Sequence, residues 1–154
     1  MEIVDILSPE YILANLKVTS KKHALQELSK FVSSKVELLE RDILETLLER
    51  ERLGSTGVGN GIAIPHGKIE SLSGLIGFFA RLERPIDFEA IDEHPVDLIF
   101  LLLAPESAGA DHLKALALIS RLMRNQPICN KLRLSDNSEA IHALLTDNKA
   151  NQAA

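Results

Sequence analysis

Residues 54–68, GSTGVGNGIAIPHGK, hold five of the eight glycines, one of the six prolines and one of the five histidines. Glycine permits left-handed backbone angles and close approach of another segment. Pro65 fixes its own φ and biases Ile64 toward an extended conformation. Gly61-Ile62-Ala63-Ile64 therefore reads as a short buried strand. Pro65-His66-Gly67 reads as the turn that delivers one imidazole at its end. A rigid loop holding a single nucleophilic side chain suits chemistry at that side chain.

Upstream, Gly54 ends a helical pattern over Arg41 to Arg52, with Ile43, Leu44, Leu47 and Leu48 on one face. Glu40 and Asp42 stand near its start, and Arg50 and Arg52 near its end, as the helix dipole favours. Val36 to Leu39 is a connection. Before it, Ala24, Leu25, Leu28, Phe31 and Val32 predict an amphipathic helix over 21–34, with Ser20 as its N-cap. Ile12 to Val18 is a candidate strand. Ser8-Pro9-Glu10 reads as the cap and first turn of something short. Residues 2–7 alternate loosely and read as an extended lead-in.

Downstream, Leu75 to Leu82 and Val96 to Ala104 are apolar runs that predict buried strands. Glu83 to Pro95 carries two prolines and many charges, which predicts a surface connection with a short strand at Ile86 to Phe88. Pro105 ends the second run. Asp111 to Arg124 predicts a helix with a broad apolar face, and Pro127 starts a further short helical segment. Asp136-Asn137-Ser138-Glu139 resembles a capping box and opens a last helix through Leu145. The expected architecture is α/β: a single-domain sandwich, residues 1–147, with a central mixed β-sheet flanked by helices. Residues 148–154 form a polar tail, expected to be frayed.

The chain has 154 residues, 45% of them hydrophobic and 25% charged, as in a globular domain with one core. The two helices before the glycine-rich loop and the strand at 96–104 are expected to build most of that core. With no Trp, one Tyr and a formal charge of −5, nucleic acid is not the expected partner. Cys129 is alone, which excludes an intrachain disulfide and a cysteine-rich zinc site. The N-terminus lacks the basic and apolar regions of a signal peptide, and the longest apolar run is too short to span a bilayer. A cytoplasmic location without membrane insertion is expected.

Several chemistries fail at the loop. A Walker A loop needs G-x-x-x-x-G-K-[ST]. Here Gly67-Lys68 is present, but Ile62 and Ile69 occupy the outer positions. A G-x-G-x-x-G fingerprint starting at Gly57 also ends on Ile62. No HExxH pair supports a metal site, although His66 and Glu70 stand four apart and Asp111 and His112 could join them. No GxSxG elbow is present, which leaves other serine arrangements open. His23 and His142, on predicted helices, and His94, in the charged connection, read as structural or exposed. A phosphocarrier histidine needs less than any of these chemistries. It requires an accessible imidazole with one nitrogen free and the other held, and donors for the transferring charge. No metal, nucleotide or other cofactor is required.

Glu49-Arg50-Glu51-Arg52-Leu53-Gly54-Ser55-Thr56-Gly57, then Gly59 to Gly67, then Asp111-His112-Leu113-Lys114-Ala115-Leu116 resemble the fructose/mannitol-type enzyme IIA of the bacterial phosphotransferase system. The likeness covers nearly the whole chain. RERLGSTG and GNGIAIPHGK resemble above all the nitrogen-regulatory branch. The resemblance implies that His66 is the phosphorylated residue, through Nε2, with Arg50 and His112 as its active-site partners. It also implies that Ser55, Thr56 and Gly67 in the loop lie near the phosphate. The implied donor is an HPr-like phosphocarrier. The implied output is regulation of partner proteins such as potassium-uptake systems or sensor kinases. A sugar-specific enzyme IIA that donates to a separate fructose- or mannitol-type IIB is the alternative.

Overall fold

Ser20 turns the chain into its first long helix by accepting the His23 amide on its hydroxyl at 3.1 Å. A computed structural model describes residues 1–147. In chain order it contains α1 (Ile3–Ile6), β1 (Ile12–Leu16), α2 (Lys21–Lys35), α3 (Glu40–Arg52), β2 (Gly57–Gly59) and β3 (Ile62–Ala63). Then follow β4 (His66–Ile69), β5 (Ile76–Ile86), β6 (Val96–Pro105), α4 (Ala110–Met123), α5 (Gln126–Arg133) and α6 (Ser138–Thr146). A 3-10 turn, Pro9–Tyr11, precedes β1, and another, Glu106–Ala108, precedes α4.

The strands make one mixed sheet in the order β1-β5-β6-β3-β2, with β4 also on β6. β1 runs parallel to β5, β5 antiparallel to β6, and both β3 and β4 parallel to β6. Along β6, Leu98, Phe100 and Leu102 point to one face, and Ile99, Leu101 and Leu103 to the other. This is the period-2 alternation of a strand buried on both sides. α2 and α3 cover the second face with Ala24, Leu25, Leu28, Val32, Ile43 and Leu47. α1, α4, α5 and α6 cover the first with residues such as Ile3, Ile119, Leu132 and Ile141. The sandwich is the one expected, but it has two apolar layers rather than one core. The helices before the loop build only one of them.

Several local expectations are corrected. Residues 2–7 are not extended: Ile3 and Ile6, three apart, turn inward on α1, and the Glu2 amide donates to Asp5 Oδ2 at 2.8 Å. Pro65-His66-Gly67 is not a turn, because His66 opens β4. β5 runs on through Pro85 to Ile86, with its pairing to β6 shifted between Arg81 and Ile86. Phe88 lies beyond the strand but is fully buried. Asn137, not Asp136, caps α6, taking the Ala140 amide at 3.0 Å. The 148–154 tail lies outside the described residues.

Candidate active site

His66 owes its position to an interrupted strand. β3 pairs Ile62 with Leu98 and Ala63 with Ile99, and β4 pairs His66 with Leu102 in the same register. Pro65 has no N–H to donate, but its carbonyl still accepts the Leu102 amide at 3.0 Å. The imidazole thus sits on a strand backed by the central strand of the sheet. The last turn of α3 brings Arg50 to it, and the first turn of α4 brings His112.

Two partners determine the protonation of the His66 ring. Nδ1 lies 2.9 Å from the Ile64 carbonyl oxygen, which can only accept. Arg50 Nε, which can only donate, lies 3.2 Å from Nε2. The neutral ring therefore carries its proton on Nδ1 and its lone pair on Nε2. Burial lowers the His66 pKa below the ordinary imidazole value. The Ile64 carbonyl opposes that shift, the Arg50 charge adds to it and the Glu51 charge opposes it. Arg50 Nη1 also donates to the Gly54 carbonyl at 2.9 Å, which braces the guanidinium across the end of its own helix.

His112 is 9% exposed, and its ring centroid lies 5.7 Å from that of His66. Its Nε2 is buried and has no hydrogen-bond partner among the described residues. A buried polar atom left unpaired is costly and asks for a reason. Burial first, then the His66 and Lys68 charges, hold the His112 pKa down.

The loop residues are placed differently. Ser55 Oγ donates to the Phe88 carbonyl at 2.7 Å and accepts the Gly57 amide at 3.0 Å. Thr56 is buried and donates its hydroxyl and its amide to Glu51. Gly67 packs β4 against α3: a Cβ there would stand 2.5 Å from Thr46 Cγ2. In the sequence Glu51, which organises Thr56, reads as one charge in the ordinary helix run Glu49-Arg50-Glu51-Arg52. Among the remaining histidines, His142 Nε2 donates to the Leu7 carbonyl at 2.9 Å. His23 Nδ1 accepts the Thr19 amide at 3.2 Å, and the His94 side chain is 73% exposed. Among the described residues no group of three or more His, Cys, Asp or Glu is gathered to hold a metal ion. No helix among them is long and apolar enough to cross a membrane.

Residues 5–148 match the family described as phosphoenolpyruvate-dependent sugar phosphotransferase system, EIIA 2, and the chain belongs to that family. Within it the chain is most like the nitrogen-regulatory enzyme IIA. A nitrogen regulatory protein of Bradyrhizobium diazoefficiens is 58% identical over 145 residues, covering 94% of this chain and 95% of the relative. The crystal structure of nitrogen regulatory protein IIA-Ntr from Neisseria meningitidis superposes with a TM-score of 0.88 at 37% identity, covering 94% of this chain and 99% of that one. A fructose-specific EIIA component of Haloferax volcanii is 34% identical over 151 residues, covering 96% and 98%.

Proposed function

We propose that His66 accepts a phosphoryl group on Nε2 from an HPr-like phosphohistidine carrier in the cytoplasm, and that its phosphorylation state regulates partner proteins in nitrogen and potassium physiology. The observation that carries this reading is the His66 ring, with Nδ1–H held by Ile64 and the Nε2 lone pair turned toward Arg50. The lone pair attacks phosphorus, the N–P bond of the donor breaks, and its electron pair returns to the donor imidazole. His66 keeps its Nδ1 proton, so the phosphorylated ring gains positive character. Arg50 must release Nε2 for the attack and then donate to the phosphoryl oxygens. His112 Nε2, buried and unpartnered beside the ring, supplies a second donor for those oxygens. Exposed Leu53, next to Gly54, and Leu113, next to His112, offer an apolar rim for a docking carrier. A new dianion beside Arg50 changes the charge and shape of the docking face, and partners read that change.

The fructose-specific name of the Haloferax volcanii relative favours a second reading, in which a separate fructose- or mannitol-type IIB takes the group onward. Isotopically labelled phosphoprotein mixed with purified IIB proteins separates the two. Label that stays on this chain is expected for a regulator. Rapid transfer to a IIB would replace the regulatory reading with the sugar-specific one.

A further inference from the structure

We infer that Glu51 is a positioning residue of this site: its carboxylate anchors the loop that holds the proton-bearing nitrogen of His66. The inference rests on reading His66 as the phosphoryl acceptor. Arg50 and Glu51 are consecutive in the last turn of α3, and between them they govern both nitrogens of one ring. Arg50 touches Nε2 directly. Glu51 connects to Nδ1 through hydrogen bonds linked by the backbones of Thr56 and Ile64. Its carboxylate accepts the Thr56 amide at 3.0 Å and the Thr56 hydroxyl. The Thr56 carbonyl accepts the Ile64 amide at 2.9 Å, and the Ile64 carbonyl accepts His66 Nδ1–H at 2.9 Å.

The Glu51 side chain is 5% exposed, so its charge needs partners. Lys21 supplies one from the first turn of α2, with Nζ at 2.9 Å, and Thr56 supplies two more. Thr56 itself is 3% exposed, so its hydroxyl bond to Glu51 is shielded from solvent. A tie of this kind could serve the fold alone. What distinguishes it is that it ends on the carbonyl that sets the tautomer of the reacting imidazole. The charge of Glu51 also acts on that ring, alongside Arg50 from the same helix, and the His112 ring packs beside it from α4. Phosphorylation leaves positive character on the His66 ring, and a fixed carboxylate nearby favours it.

Nitrogen NMR of the His66 ring reports tautomer and titration without any phosphorylation. Three variants separate the contributions. Glu51→Gln keeps the shape and removes the charge. Thr56→Val removes the hydroxyl in a side chain of nearly equal size. Thr56→Ser keeps the hydroxyl. The wild type is expected to show the Nδ1–H tautomer at neutral pH. Glu51→Gln and Thr56→Val should add the Nε2–H tautomer, Glu51→Gln should lower the His66 titration point, and Thr56→Ser should restore the wild-type ring. Transfer from the carrier should slow on the order of 10- to 100-fold in the first two variants, as expected when a reacting group loses its alignment. Wild-type ring spectra and transfer in folded Thr56→Val and Glu51→Gln would overturn the inference. Should Glu51→Gln not fold, Thr56→Val alone decides it. A wild-type protein that takes no phosphate would instead contradict the reading of His66, and the ring spectra would still decide the role of Glu51.

Discussion

A histidine that receives a phosphoryl group must arrive with an unprotonated nitrogen, and the surroundings of His66 enforce that in two ways. The Ile64 carbonyl fixes which nitrogen is bare, and burial shifts the ring toward its neutral form. Burial likewise lowers the His112 pKa. Both folded-state pKa values lie below the unfolded value of about 6.5, so the unfolded chain binds more protons between the two. The stabilising contribution is therefore complete above about pH 6.5 and is lost as pH falls through the folded values. Urea midpoints should be flat above neutrality and fall below it, with a shallower fall in the His66→Ala/His112→Ala double variant. An equal slope in that variant would contradict the assignment. His112→Ala should slow transfer from the carrier while leaving the acceptor in place, and wild-type kinetics would refute its role. At this scale the sequence singles out His66 by its Gly- and Pro-bounded setting. Arg50 and His112 come only through family resemblance, since a helix-end arginine and a first-turn histidine have bland explanations. Glu51 stands inside the RERLGSTG stretch but reads there as one helix charge among four, because only the fold brings Thr56 against it.

Elements decide whether those side chains meet. β4 lies between β6, which fixes its register, and α3, which carries Arg50. Gly67 permits the close approach to α3, and any Cβ there collides with Thr46 Cγ2. Thr46 cannot readily rotate away, because its hydroxyl donates to the Asp42 carbonyl at 2.8 Å. Gly67→Ala should cost about 1–3 kcal/mol in chemical denaturation, as overpacking does, and slow phosphorylation. Adding Thr46→Ser, which removes the obstructing methyl and keeps the hydroxyl, should recover most of both losses. Purely additive effects would contradict the packing argument. Proline and glycine on either side of His66 suggest a turn in the sequence, yet proline lacks only a ladder donor. It removes no acceptor, and the Pro65 carbonyl continues the pairing with β6. The same reasoning explains why β5 passes through Pro85 at an irregularity in its pairing.

For the whole molecule, β6 is the shared wall of both apolar layers. Phe100 and Leu101, adjacent and fully buried, face opposite sides of the sheet. Phe100→Ala should cost about 3–5 kcal/mol and Leu101→Ala about 2–5 kcal/mol. Each should lower one cooperative urea transition, because neither layer can persist without the strand they share. Two resolved transitions would contradict that coupling. The order of helices and strands made the sandwich legible. The apolar run at 96–104 shows no polar alternation, the mark of a strand buried on both faces, but nothing local to it says which helices cover which face. On the proposed reading, this architecture presents His66 as a phosphoryl acceptor. Intact mass after incubation with phosphoenolpyruvate, enzyme I and an HPr-type carrier, beside folded His66→Ala, tests it most directly. One added phosphate is expected, labile in acid, stable in base and absent from the variant. No added phosphate with any carrier, or equal phosphate on His66→Ala, would contradict it.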